Sequence, residues 1–363
     1  MSVKRKVLFP VISFGFGLLL FLIMAEVFLR FLPVSTGVRL NTVNVDNPVP
    51  HTYSDQDLVW SKNWNFKQVR QIRSNNLGFI NPQDYSEEHS VPLTAVIGDS
   101  YIEALMVSPD QTFQSLLQAD YGKERRVYSF AASGAQLPTY LAYTDYARSM
   151  FKPDQYIFFI IGNDYDESLC KYRCRPGNHF FADNLSGEML LKPYQPSGLR
   201  GLLNHSALIR YIVFNLQIDR QKIVDLFGSK EDKLKYVGNT AAAFSPERLE
   251  DSKKVVSLFL EQLIRQADVS PKDILFVVDG NRQSIYEPAL AEELDKSFVA
   301  KMNAYFIVQA TLRGFPVVDL HTFFKANYMK DKTPFNSDHD WHWNEYGHDA
   351  AFRAVQQSGF LKN

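Results

Sequence analysis

The pattern of apolar and polar positions divides the chain into regions of different character. From Val7 to Ala25 nineteen consecutive residues carry no charge. At about 1.5 Å rise per residue, a helix of that length covers the ~30 Å hydrocarbon core of a bilayer. From residue 91 onward, short apolar runs bounded by turn or polar residues recur at 94–97, 127–131, 156–161, 274–278 and 317–320. Such runs suit strands buried on both faces of a parallel sheet. Helical spacing fills 112–120, 139–151, 246–266, 296–311 and 344–357 between them. The alternation predicts an α/β domain of three layers, with about five parallel strands covered by helices through right-handed crossovers.

Two stretches depart from this rhythm. Residues 31–90 mix Pro33, Pro48, Pro50 and Pro82 with isolated aromatics such as Trp60, Trp64 and Phe66, which predicts an extended linker packing on the domain that follows. Between Asn163 and Pro246 no sheet strand is evident, although 206–218 has helical apolar spacing. An insertion of this size directly after a strand end reads as a substrate-binding lid, at about 168–245, with a purely structural subdomain as the alternative. The expected organisation is a basic tip and anchor over 1–30, a linker over 31–90, and a domain over 91–363 carrying that insertion.

Composition adds mainly exclusions. Hydrophobic residues at 45%, charged residues at 22% and a formal net charge of -1 argue against disorder, a multi-span membrane protein and a polyanionic partner, so no nucleic-acid binding is expected. The charges around the apolar stretch say more. Lys4, Arg5 and Lys6 precede it, whereas only Glu26 and Arg30 follow closely, which favours a cytoplasmic amino terminus and an external remainder, periplasmic or extracellular. A cleaved signal peptide is the main alternative, but its apolar region is usually about 7 to 15 residues, and Ile23-Met24-Ala25 is a poor cleavage site. In an oxidising compartment Cys170 and Cys174 form either a local disulfide or two thiols.

In doubly wound sheets, ligands bind beyond the carboxyl ends of the strands. Those ends carry Gly98-Asp99-Ser100, Ser133-Gly134, Gly162-Asn163-Asp164 and, after the last strand, Asp338-His339-Asp340-Trp341-His342-Trp343-Asn344. A serine hydroxyl is a weak nucleophile until a base removes its proton, and histidine serves at neutral pH. Ser100 is thus the expected nucleophile and His342 the base. Asp340, two residues earlier, is assigned as the imidazole's orienter, with Asp338 in reserve. The backbone N–H groups of Ser100 and Gly134 and the amide of Asn163 are the expected oxyanion donors.

These blocks, in this order, resemble the four sequence blocks of the SGNH/GDSL hydrolase superfamily from about residue 91 to the carboxyl terminus. The resemblance implies a flavodoxin-like SGNH fold, a Ser100–His342–Asp340 triad, an oxyanion hole of Ser100, Gly134 and Asn163, and no cofactor. Asn76-Leu77-Gly78-Phe79, together with His342-Trp343-Asn344 and Gly347-His348, is similar to membrane-anchored bacterial members. In the commonest pattern an aspartate stands three residues before the catalytic histidine, where this chain has His339. Asp340-x-His342-Trp343 resembles instead the variant of relatives that move acetyl groups on polysaccharides.

His339, His342 and His348 with the nearby aspartates also suggest a zinc site, but that reading leaves Ser100, Gly134 and Asn163 without a role, so no metal is expected. The expected activity is a serine esterase acting on small acyl groups, O-acetyl above all, of envelope carbohydrate. An O-acyltransferase using the same residues and a non-catalytic assembly or glycan-binding protein are the alternatives. The expected partners are an acylated glycan and, through residues 7–25, a membrane; no protein partner is indicated.

Overall fold

The computed structural model describes residues 3–218, 236–237, 240–241, 245–338 and 341–362. Among these, contacts group into two compact units: residues 3–38, 58–71 and 196–218 in one, and 39–57, 72–195 and the described residues from 236 onward in the other. The predicted linker and the interval after Asn163 are both shared between the units.

The larger unit is built on five parallel strands, β1 (Leu93–Gly98), β2 (Arg126–Ala131), β3 (Gln155–Ile160), β4 (Ile274–Val278) and β5 (Val317–Asp319), in the order 5-4-3-1-2. That is the flavodoxin-like order, whose direction reverses between β1 and β3. All residues of β1, β3 and β4 are buried, as their uninterrupted apolar runs required. Alternate side chains serve opposite layers. Ile97, Phe130, Phe158 and Phe276 pack with apolar residues of the helices Leu137–Phe151, Pro246–Gln266 and Phe298–Leu312. Val96, Val127, Phe159 and Val277 face those of Phe113–Tyr121, Leu320–Asp331 and Glu345–Gln357. The three-layer α/β expectation thus holds. The apolar run of the last strand stops one residue early, because Asp319 caps the helix starting at Leu320, its Oδ1 accepting from His321 N at 2.9 Å. That helix was not predicted.

The Asn76-Leu77-Gly78-Phe79 stretch forms a tight turn in this unit. Asn75 Oδ1 accepts from the backbone N–H of Leu77 and Phe79, both at 3.0 Å, and Phe79 inserts among Tyr85, Phe130 and Tyr143. Gly78 has φ +83°, and a Cβ there would run into the carbonyl oxygen of Thr52. Both the left-handed backbone and that close approach demand glycine. Gly78→Ala is expected to destabilise the protein by about 2 to 3 kcal/mol, checked by chemical denaturation with the Asn76→Ala variant as a milder companion.

In the smaller unit a helix, α1 (Val3–Leu29), contains a segment, Phe9–Leu29, long and apolar enough to cross a membrane. Residues 206–218 form the turn Ala207–Arg210 and a π-helical turn, Tyr211–Asn215. Asn215 binds the other two segments of this unit: its Oδ1 accepts from Ser35 N at 3.0 Å and its Nδ2 donates to Ser61 Oγ at 2.9 Å.

Candidate active site

The turn after β1 places the serine. Asp99 caps the short helix Ser100–Glu103, its Oδ1 accepting from Tyr101 N at 2.9 Å, and so supplies the turn's acceptor. The helix opens at Ser100, whose Oγ projects towards the segment that follows the helix Leu320–Asp331. There it meets His342 Nε2 at 2.8 Å, within hydrogen-bond reach of a nucleophile–base pair separated by 242 positions. With the imidazole proton on Nδ1, the hydroxyl donates to Nε2, the arrangement in which histidine can take that proton. The other Ser100 neighbour, Asp99 Oδ2, is at 3.4 Å.

Gly134 follows β2 with φ +86°, and a Cβ at this position would run into the Arg175 guanidinium. A positive side chain therefore lies against the glycine whose N–H was expected to face an oxyanion. Ser133 is tied to the nucleophile helix: its N–H donates to Glu103 Oε2 at 3.0 Å, and its hydroxyl donates to the same oxygen. Asn163, beyond β3, is buried with 7% exposure. Its neighbour Asp164 holds the turn by accepting from Ile161 N at 2.8 Å and Tyr140 OH at 3.0 Å. Asp340 and His339 lie outside the described residues, while the reserve carboxylate, Asp338, is exposed.

His348, weighed as a zinc ligand, is fully buried and accepts from Phe113 N through Nδ1 at 3.1 Å. Burial, with the nearby His342, pushes its pKa down to about 3, so it stays neutral and fixes the start of the helix Phe113–Tyr121.

A network unremarked in the sequence holds the histidine loop. Asp279 follows β4 and pairs with Arg282, Oδ1 to Nη1 at 2.6 Å. The Arg282 Nη2 donates to Tyr101 OH at 2.8 Å and to the Trp341 carbonyl at 2.5 Å. Tyr101 OH donates to that carbonyl at 2.8 Å, and Trp343 Nε1 to Asp279 Oδ1 at 3.1 Å. The residues on either side of His342 are thus tethered, and the Tyr101 ring lies 4.9 Å from the imidazole, centroid to centroid. One signal was available: Asp279 stands at a strand's carboxyl end, where the ligand rule already directed attention.

Two acids by the nucleophile are held protonated more readily than usual. Burial pushes Asp99 up to about 6, against the Tyr101 N–H bond and His342, and pushes Glu103 up to about 7, against the two Ser133 donors. The ordinary value for a glutamate is 4.5. A raised folded-state value means that the folded protein binds the extra proton, so this contribution to stability is complete below about pH 4.5 and is lost as pH rises through about 7. Glu103→Gln removes it while keeping an acceptor for Ser133. From pH 4.5 to 7, wild type is expected to lose about 3 kcal/mol relative to Glu103→Gln, at ~1.4 kcal/mol per pH unit, as read from urea denaturation at both pH values.

No family model matches the chain, and no curated protein does. Solved structures are similar to it at low identity and low TM-score. A member of the lipolytic protein G-D-S-L family from Veillonella parvula is 10% identical over 74% of this chain and 97% of its own, with a TM-score of 0.38. A lipase/acylhydrolase from Enterococcus faecalis is 11% identical over 75% and 97%, with a TM-score of 0.38. A two-domain esterase active on acetylated mannans is 10% identical over 75% and 49%, with a TM-score of 0.36. At such identities and TM-scores the likeness names neither a substrate nor a reaction for this chain.

Proposed function

We propose that the chain is a serine esterase, anchored by α1 and facing the outside of the membrane, that removes small ester-linked acyl groups, most simply acetyl, from envelope carbohydrate. The observation that carries this reading is the 2.8 Å approach of Ser100 Oγ to His342 Nε2 beyond the strand ends. Ser100 attacks the ester carbonyl as His342 takes its proton. The tetrahedral oxyanion is met by the N–H groups of Ser100 and Gly134 and the Asn163 amide. His342 returns the proton to the departing sugar oxygen, leaving an acyl-serine. Water, deprotonated by the same imidazole, then releases the acid. Asp340 is assigned to hold the imidazole's other nitrogen and stabilise the imidazolium. The disulfide between Cys170 and Cys174 supports an oxidising, external location, and the Asp340-x-His342-Trp343 resemblance supports a carbohydrate substrate.

The test is hydrolysis of p-nitrophenyl acetate with and without an acceptor glycan. Release of p-nitrophenol by wild type, absent from Ser100→Ala and undiminished by glycan, supports the esterase. Acetylated glycan appearing as hydrolysis falls would make the protein an O-acyltransferase. No difference between wild type and Ser100→Ala would leave a binding protein.

A further inference from the structure

The carboxyl end of α1 is engaged by a distant part of the chain. Glu26, the first charged residue after the apolar run that starts at Val7, accepts from Ser206 Oγ at 2.7 Å, Ala207 N at 3.1 Å and Leu208 N at 2.9 Å. Arg30 bonds the same carboxylate at 2.9 Å. The turn Ala207–Arg210 is therefore seated on the last part of the apolar helix. If Phe9–Leu29 crosses a bilayer, Glu26 lies where the hydrocarbon gives way to headgroups, and Ser206–Leu208 lies at that depth with it.

The residues flanking this contact are unusual for a water-facing surface. On one side Leu202 is 70% and Leu203 40% exposed; on the other, Ile212 is 37% and Val213 41% exposed. Phe31, just past α1, is 83% exposed, and Trp64, whose carbonyl accepts from Tyr211 OH at 2.9 Å, is 72% exposed. Large apolar side chains gathered around the end of a spanning helix suit the boundary between headgroups and acyl chains, where amphipathic segments sink by about 5–10 Å and tryptophan is enriched.

We propose that residues 198–218 form an interfacial foot embedded in the outer leaflet of the bilayer that α1 crosses. The occupant of this apolar surface is lipid, because the surface continues from a helix already suited to lipid. Residues 198–218 of the insertion thereby acquire a role distinct from covering substrate. This inference rests on the reading of Phe9–Leu29 as a membrane anchor.

The experiment uses the full-length protein in nanodiscs of phosphatidylcholine and phosphatidylglycerol. Single cysteines replace Leu202, Val213, Leu18 or Glu124 in turn and carry an environment-sensitive fluorophore, the native cysteines being joined to each other. Spin-labelled lipids quench near the headgroups or deep in the bilayer. Labels at Leu202 and Val213 should lose about half their fluorescence to the shallow quencher, the label at Leu18 should respond to the deep one, and that at Glu124 to neither. Deep quenching at Leu18 with Leu202 and Val213 behaving like Glu124 overturns the foot while the anchor stands. No quenching at Leu18 overturns the anchor, and the foot with it. A blue shift at Leu202 and Val213 without quenching means protein covers them, and overturns the foot. Labels at Leu203 and Ile212 repeat the measurement should a first variant misfold.

Discussion

Ser100→Ala and His342→Ala, made singly and together, are expected to lower kcat for a short-chain ester by about 10⁴-fold to 10⁶-fold each, with the double variant no worse than either single one. The reason is that the two groups act as a unit. Without the imidazole the hydroxyl keeps its proton, and without the hydroxyl the imidazole has nothing to activate. Residual activity should remain, since the oxyanion donors are untouched. Additive losses in the double variant would show that the 2.8 Å contact is not the catalytic pair.

The second large effect concerns Arg282, a positioning residue that acts through the His342 loop. Arg282→Met leaves Asp279 buried and ionisable, with Trp343 as its remaining side-chain donor among the described residues. Breaking a buried pair by removing one partner typically costs about 3–5 kcal/mol, or roughly 10 °C in Tm for a chain of this size. The Trp341 carbonyl also loses the guanidinium donor while keeping that of Tyr101, which loosens the loop on the side of His342 nearest Asp340. Arg282→Met combined with Asp279→Asn removes the stranded charge and keeps an acceptor for Trp343. That double variant should regain most of the Tm while kcat stays about tenfold or more below wild type and KM changes little. Recovery of kcat along with Tm would reduce Arg282 to a structural role.

The contrast between those two predictions shows what the chain disclosed in advance. The approach of Ser100 to His342 was legible because each lies beyond an apolar strand run, and the rule that ligands bind at carboxyl edges of a parallel sheet gathers such residues without knowledge of distances. The strand order adds a reason for Ser100 and Asn163. They follow β1 and β3, the neighbours between which the sheet reverses, the place where doubly wound sheets bind their ligands. The Arg282 network was not legible, because Arg282 meets Tyr101 across 181 positions and nothing periodic marks either residue. Glu103 was hidden likewise: a carboxylate in a four-residue helix reads as surface until burial and Ser133 are seen. The sharing of residues 31–90 and of the insertion between two units escaped notice because both are aperiodic. The spacing over 206–218 announced helix, but not that its first turn would receive Glu26.

The most direct test of the central claim is covalent. Full-length protein treated with a fluorophosphonate, digested and mapped by mass spectrometry should carry one adduct, on Ser100, formed by wild type and Gly78→Ala protein that is still folded and far more slowly by His342→Ala. An adduct on a different serine, or none on folded wild type, would contradict the assignment of Ser100 as nucleophile.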